Sequence, residues 1–193
     1  MEVLTNKLKK MKKLSDKGFK KLVQKNIDKV DFIKTILYDD SAISGFIVKF
    51  SDEFLMIEET YDFSLSGIKI VPYDRVKSIR HNKVDEISKK IYLEENLIKF
   101  NHKIIDKTSL NDFESLFKSI KKQDLHCIVE SRKNKKEKFS IGEILEVNDK
   151  SVTIQNYSAT GKIYKKPDVI SFKNIELINF NDNYSKTFRK YLK

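Results

Sequence analysis

A chain of 193 residues, 39% hydrophobic and 35% charged, suffices for one large or two small domains, and no apolar stretch approaches the ~20 residues of a membrane span. One cysteine, Cys127, excludes an internal disulfide and fits a reducing compartment. The net charge of +11 is unevenly placed: residues 1–29 hold ten lysines against three acids, whereas residues 30–96 hold nine bases against thirteen acids.

In chain order, residues 2–14 read as a basic amphipathic helix, with Leu4, Leu8 and Met11 on one face and Lys9, Lys10, Lys12 and Lys13 on the other. It has no apolar h-region of a secretory signal, so a cytoplasmic protein is expected. It also lacks aromatic anchors, which favours packing on a neighbouring domain or partner over a membrane surface. Ser15 is placed to cap a second helix at 16–29, striped by Phe19, Leu22, Val23, Ile27 and Val30. Strand patterns follow at 31–38, 43–50, 53–59, 68–72 and 75–80, with turns at Asp39-Asp40-Ser41 and Ser51-Asp52. A helical pattern covers 84–95, and residues 97–108 are a connector. Ser109 is the expected cap of a helix at 110–122. Strands are expected near 125–131, 138–147, 151–157, 162–166 and 169–180, the last broken after Pro167, then a terminal helix at 183–192.

The order helix, five strands, helix thus occurs twice. ISGFIVKFSDEFLMI (43–57) recurs as SIGEILEVNDKSVTI (140–154): Gly45 matches Gly142, Ile47 matches Ile144, Phe50 matches Val147, Asp52 matches Asp149 and Ile57 matches Ile154, all 97 apart. YDRVKSI (73–79) matches FKNIELI (172–178) at an offset of 99, and Phe19, Leu22 and Val23 match Phe113, Leu116 and Phe117 at 94. A drifting offset with a kept pattern marks two copies of one module. The reading is a mostly β chain with flanking helices (α+β), built as an N-terminal helix 1–14, a first module 15–96, a connector 97–108 and a second module 109–193. Five short antiparallel strands avoid exposed edges by bending into a small barrel.

A helix followed by such a barrel, with Ile43-Ser44-Gly45-Phe46-Ile47 leading to Phe50, resembles the opening of the Sm1 motif of the Sm-like (SH3-like) family. GFIVKFSDEFLMIEETYDFSLSGIKIV is also similar to uncharacterised bacterial proteins carrying a GFIVxFSDE run and a later YDFxLxG. The resemblance implies two tandem five-stranded Sm-like barrels. It does not carry over RNA-contacting residues: Ser51 stands before Asp52 where the family's aspartate follows the aromatic position directly. Glu53-Phe54-Leu55-Met56 lacks the Sm1 asparagine, and neither IKIVPYDRVKSI nor VISFKNIELI holds the Sm2 basic-glycine pair.

No phosphate-loop, dinucleotide-binding, nucleophile-elbow or zincin motif occurs, and His81, His102 and His126 have no metal spacing, so neither catalysis nor a cofactor or metal is expected. His126 and Cys127, adjacent on a strand, should face opposite ways, with Cys127 in the core. Glu58, Glu59 and Asp62, beside Tyr61 and Phe63, read as a solvated acidic loop, with a site for a cation or a basic partner as the alternative. The residues placed to meet a polyanion are Lys9, Lys10, Lys12 and Lys13, and Arg132, Lys133, Lys135, Lys136 and Lys138 at a hairpin tip. Tyr61, Tyr73, Tyr157 and Tyr164 lie near loops and are the stacking or partner-contact candidates. The leading expectation is a non-catalytic module acting through a protein partner or self-association. The alternative is an RNA or single-stranded DNA binder using the two lysine clusters.

Overall fold

The computed structural model describes residues 17–134 and 136–193. The helix at 2–14, its lysines, Ser15 and Lys135 lie outside them. Among the described residues the fold is mostly β with five α-helices. α1 runs through residues 17–28, followed by β1 (Phe32–Leu37), β2 (Ala42–Phe50), β3 (Phe54–Tyr61), β4 (Ser64–Pro72), a 3-10 turn, β5 (Val76–Arg80) and α2 (Lys83–Glu94). After the short α3 (His102–Lys107) come α4 (Phe113–Lys122), β6 (Cys127–Lys133), β7 (Lys136–Val147), β8 (Ser151–Asn156), β9 (Asp168–Ser171), a second 3-10 turn, β10 (Ile175–Phe180) and α5 (Asn183–Phe188).

The described strands form one antiparallel ten-stranded sheet in the order β5-β1-β2-β3-β4-β10-β6-β7-β8-β9, so the order of the first five recurs in the second five. Even the irregularities recur. The β2/β3 ladder slips between Ile47 and Lys49, and the β7/β8 ladder slips between Ile144 and Glu146. Gly45 lies opposite Glu59 and Gly142 opposite Asn156, where each long strand bends.

Neither half closes into a hydrogen-bonded ring among the described residues. The free side of β4 is taken by β10, through Ile178↔Ile70, Asn179↔Lys69 and Phe180↔Ile68. An unpaired strand edge is a liability, and here one half covers the other's. The join also interlocks two cores. Leu177 of β10 packs with Val23, Ile33, Leu55 and Val71 under α1. Phe54, Met56, Ile68 and Ile70 of the first half pack with Leu116, Phe117 and Ile120 of α4. Gly67 permits the approach, since a Cβ there would stand 2.7 Å from Asp182 Cβ.

Local differences from the sequence expectation have simple causes. The cap of α4 is Asp112, whose side chain accepts from Ser115 N–H in a capping box; Ser109 bonds the Ser115 hydroxyl instead. The expected strand at 162–166 reduces to a single bridge, Tyr157↔Ile163, because Gly161 and Ile163 exchange backbone hydrogen bonds with Lys193 at the C-terminus. The break in 169–180 falls at the 3-10 turn Phe172–Asn174, the counterpart of Tyr73–Arg75, and not after Pro167.

Candidate interaction surfaces

Three surfaces carry chemistry beyond the core. The first is the pair of edges that terminate the sheet, β5 and β9, each unpaired on one side among the described residues. They differ sharply. β9 has four residues, is preceded by Lys166-Pro167 and is flanked by Lys138, whose ammonium bonds Asp168. Proline removes a donor and lysine disfavours pairing, so this edge is blunted. β5 has no proline, and Arg80 at its end bonds Asp85 in the first turn of α2 through both Nε and an Nη (3.1 and 2.7 Å). That pairing ties the first turn of α2 to the end of β5, and the helix packs on β1. Val84, Ile87 and Ile91 recur at i, i+3 and i+7 along α2, and Val84 and Ile87 are 64% and 61% exposed. An apolar stripe turned to water needs an explanation.

The second surface is a groove of about 510 Å3. α1 and its following turn supply Ile27 and Val30, β2 supplies Val48, α2 supplies Tyr92 and Leu93, and the connector with α3 supplies Ile98, Phe100 and Ile105. Asn96, His102 and Asp106 are its polar members. Val30 is unusual. α1 ends in a Schellman arrangement, with Asp31 N–H donating to Asn26 O (2.8 Å) and Val30 N–H to Ile27 O (2.9 Å). The position that favours glycine is therefore held by a β-branched residue at φ 51°. A non-glycine residue in that conformation costs about 1–2 kcal/mol, and what it supplies is an isopropyl group on the groove wall.

The third surface is basic. Lys133, Lys136 and Lys138 are exposed around the β6/β7 hairpin, whereas Arg132 is half-buried and bonds Glu137 at 2.8 Å. Lys138 also lines an open depression with Tyr164 and Lys166 from the loop before β9. Lys166 was missed in sequence because it sits outside the hairpin's charge run. Burial alone would raise the Asp168 carboxyl, but hydrogen bonds from Lys138, Ser140 and Asn156 outweigh it and hold it below the usual carboxylate range.

The four tyrosines separate. Tyr61 and Tyr164 are exposed; Tyr73 is half-buried with its ring against Phe19; Tyr157 is 4% exposed and stacked on Phe188. Cys127 is fully buried in the core, which pushes its thiol pKa up, and among the described residues no cluster of metal-ligating side chains forms. Glu58 is not on a solvated loop. It continues the inward phase of Phe54 and Met56 on β3, is 4% exposed, and its Oε2 has no hydrogen-bond partner among the described residues. No described helix is long and apolar enough to cross a membrane. Comparison of the chain with protein-family models, with curated proteins and with solved structures finds no match.

Proposed function

We propose that the chain is a non-catalytic protein-interaction module that takes an extended strand of a protein partner along its β5 edge. The observation that carries this reading is β5, unpaired on one side among the described residues, followed by an α2 whose Val84 and Ile87 face solvent. The kind of strand is set by the internal join. β5 stands in the first half where β10 stands in the second, and β10 receives a strand presenting Ile68 and Ile70 at alternate positions. A partner strand with alternating β-branched residues fits β5 the same way, with main-chain bonds supplying affinity and side chains supplying choice. Self-assembly by repeating the join is disfavoured, since β9 would have to fill the place of β4 and is the blunted edge. The recurrent five-strand order supports an Sm-like reading of each half, and an adaptor reading does not depend on it.

A pull-down from lysate with full-length protein, run in high salt and compared with Ile87→Asp, tests the proposal. The expected result is a monomeric bait that retains a polypeptide through the salt wash and loses it in the variant. Ile87 is largely exposed, so the substitution leaves the fold intact. Equal retention by both proteins, or retention of nucleic acid alone, would overturn the reading.

Lys138, Tyr164 and Lys166 on one depression favour a second reading, a single-strand nucleic-acid binder. There, anisotropy of labelled single-stranded RNA across a salt series should show affinity falling steeply, with a slope of about −0.7 per phosphate neutralised. The double variant Lys138→Glu, Lys166→Glu should flatten that slope. Binding lost equally to heparin would leave the charge nonspecific.

A further inference from the structure

A second cleft, of about 550 Å3, lies between α1 and α2 at the end of β5. We infer that the strand taken by β5 carries a carboxylate side chain opposite His81 and a β-branched one opposite Ile79, so that the partner is an acidic extended peptide. The inference rests on the β5 reading and narrows it at one position.

The two halves correspond closely enough to be compared residue by residue. Thr35↔Ile79 and Lys34↔Arg80 in the first stand where Val129↔Ile178 and Ile128↔Asn179 stand in the second. Both ladders skip one residue of the outer strand, Lys77 in β5 and Glu176 in β10. α1 and α4 also correspond. Phe19 sets its ring against Tyr73 at 5.6 Å, and Phe113 sets its ring against Phe172 at 5.2 Å. α1 therefore stands to β5 as α4 stands to β10.

The second half shows what an incoming strand meets there. Ile70 and Ile68 of β4 pair with Ile178 and Phe180, and all four share a core with Leu116 and Ile120 of α4. Directly opposed residues of an antiparallel pair point to one face, so each incoming side chain is matched to its opposite number. In the first half the same places are held by Ile79, His81, Leu22 and Asn26. Leu22 is 42% exposed, whereas Leu116 is fully buried, as expected of a position that a docked strand covers. Ile79 keeps the apolar character of Ile178. His81 and Asn26 do not keep that of Phe180 and Ile120, so the chamber for the second inward side chain is polar.

Its polarity has a sign. Lys89 donates to Asp31 at 2.8 Å and to the Lys29 carbonyl at 2.6 Å, which settles both charges. His81 Nδ1 lies 2.9 Å from the Phe32 carbonyl, and its Nε2 faces Glu86 at 4.0 Å. What is left without a partner among the described residues is a set of donors. Asn26 is 4% exposed and its Nδ2 bonds nothing, and Lys25 and Lys29, both exposed, have no ion pair. A carboxylate accepts from both kinds of donor, and ionised acceptors make the stronger bonds. An aliphatic side chain would leave the Asn26 donor unpaired, and a basic one would sit beside two lysines.

Amide chemical-shift mapping of the full chain with two synthetic nonapeptides tests this. One peptide has the β4 sequence SLSGIKIVP, residues 64–72, which already docks on β10; the other carries Ile68→Glu. Both should shift residues 76–81, and the glutamate peptide should bind about tenfold more tightly at low salt. The double variant Lys25→Glu, Lys29→Glu, at exposed positions, should erase that preference and leave binding of the unaltered peptide as it was. Equal binding, or tighter binding of the unaltered peptide, would overturn the inference and leave the β5 reading standing. A preference that survives the lysine substitutions would also overturn it. Shifts at 76–81 with neither peptide would remove the β5 reading and this inference together.

Discussion

Alanine at Gly45 or Gly142 is expected to unfold the half of the sheet that carries it. A Cβ on Gly45 would stand 2.1 Å from the Glu58 carbonyl oxygen, and one on Gly142 would stand 1.9 Å from the Gln155 carbonyl oxygen. Both obstacles are backbone atoms of the neighbouring strand, so no side chain can swing aside. The ladder itself must part, exposing buried polar groups and the core behind them. The cost should reach about 4 kcal/mol or more, in the exceptional range for single substitutions and a large share of a stability of ~5–15 kcal/mol. For a chain of this size, thermal melts should then fall by roughly 8–16 °C or lose their cooperative transition. Gly18→Ala is the control. That glycine sits in α1 with no atom of the described residues within 4 Å of the added Cβ, so the melt should rise slightly, by about 0.5–1 kcal/mol in stability. A Gly142→Ala protein melting with the unaltered chain would show that the strands can separate there without loss.

The same two glycines explain how much of the fold was legible in the sequence. They were found as a matched pair because a strand that must bend this tightly tolerates no other residue, so the mark persists where other identities have drifted. Strand positions in the first half followed from alternation and turn residues, which act locally. The join of β4 to β10 did not follow, because Ile68 and Ile70 alternate as they would in any half-buried strand; only the third dimension shows that both faces and the free edge are covered. α3 was hidden for a different reason: HKIIDK is a six-residue helix, too short for helical periodicity to emerge. The groove went unseen with it, since Ile98, Phe100 and Ile105 come from a stretch without pattern. Glu58 could have been found. Phe54, Met56 and Glu58 share one phase of β3, and the adjacent Glu59 disguised a buried position as part of a polar run.

Glu58→Gln is expected to stabilise the protein above neutral pH and to leave it unchanged in acid. Burial among the side chains of the sheet raises the Glu58 carboxyl from 4.5 to about 7, and Lys186 of α5 offsets this only in part. Its neighbours across the ladder are Phe46 and Ile68, which offer no hydrogen bond. Below pH 4.5 the group is protonated in folded and unfolded chains alike and contributes no pH dependence. Between 4.5 and about 7 the folded chain keeps the proton while the unfolded chain loses it, so stability falls as pH rises through that window. Above it the folded chain bears a buried carboxylate at a full penalty of about 3 kcal/mol. Glutamine keeps the shape and cannot ionise. Denaturant titrations at pH 4 and pH 8 (about half a unit below and one unit above the window) isolate this group, because every other titration is common to both proteins and cancels in the difference. The difference should be near zero at the lower pH and favour the variant by about 3 kcal/mol, or somewhat less, at the higher. A variant less stable than the unaltered chain at pH 8 would instead mean that the carboxylate forms a strong pair with Lys186, tying α5 to the first half of the sheet by charge and not by packing alone.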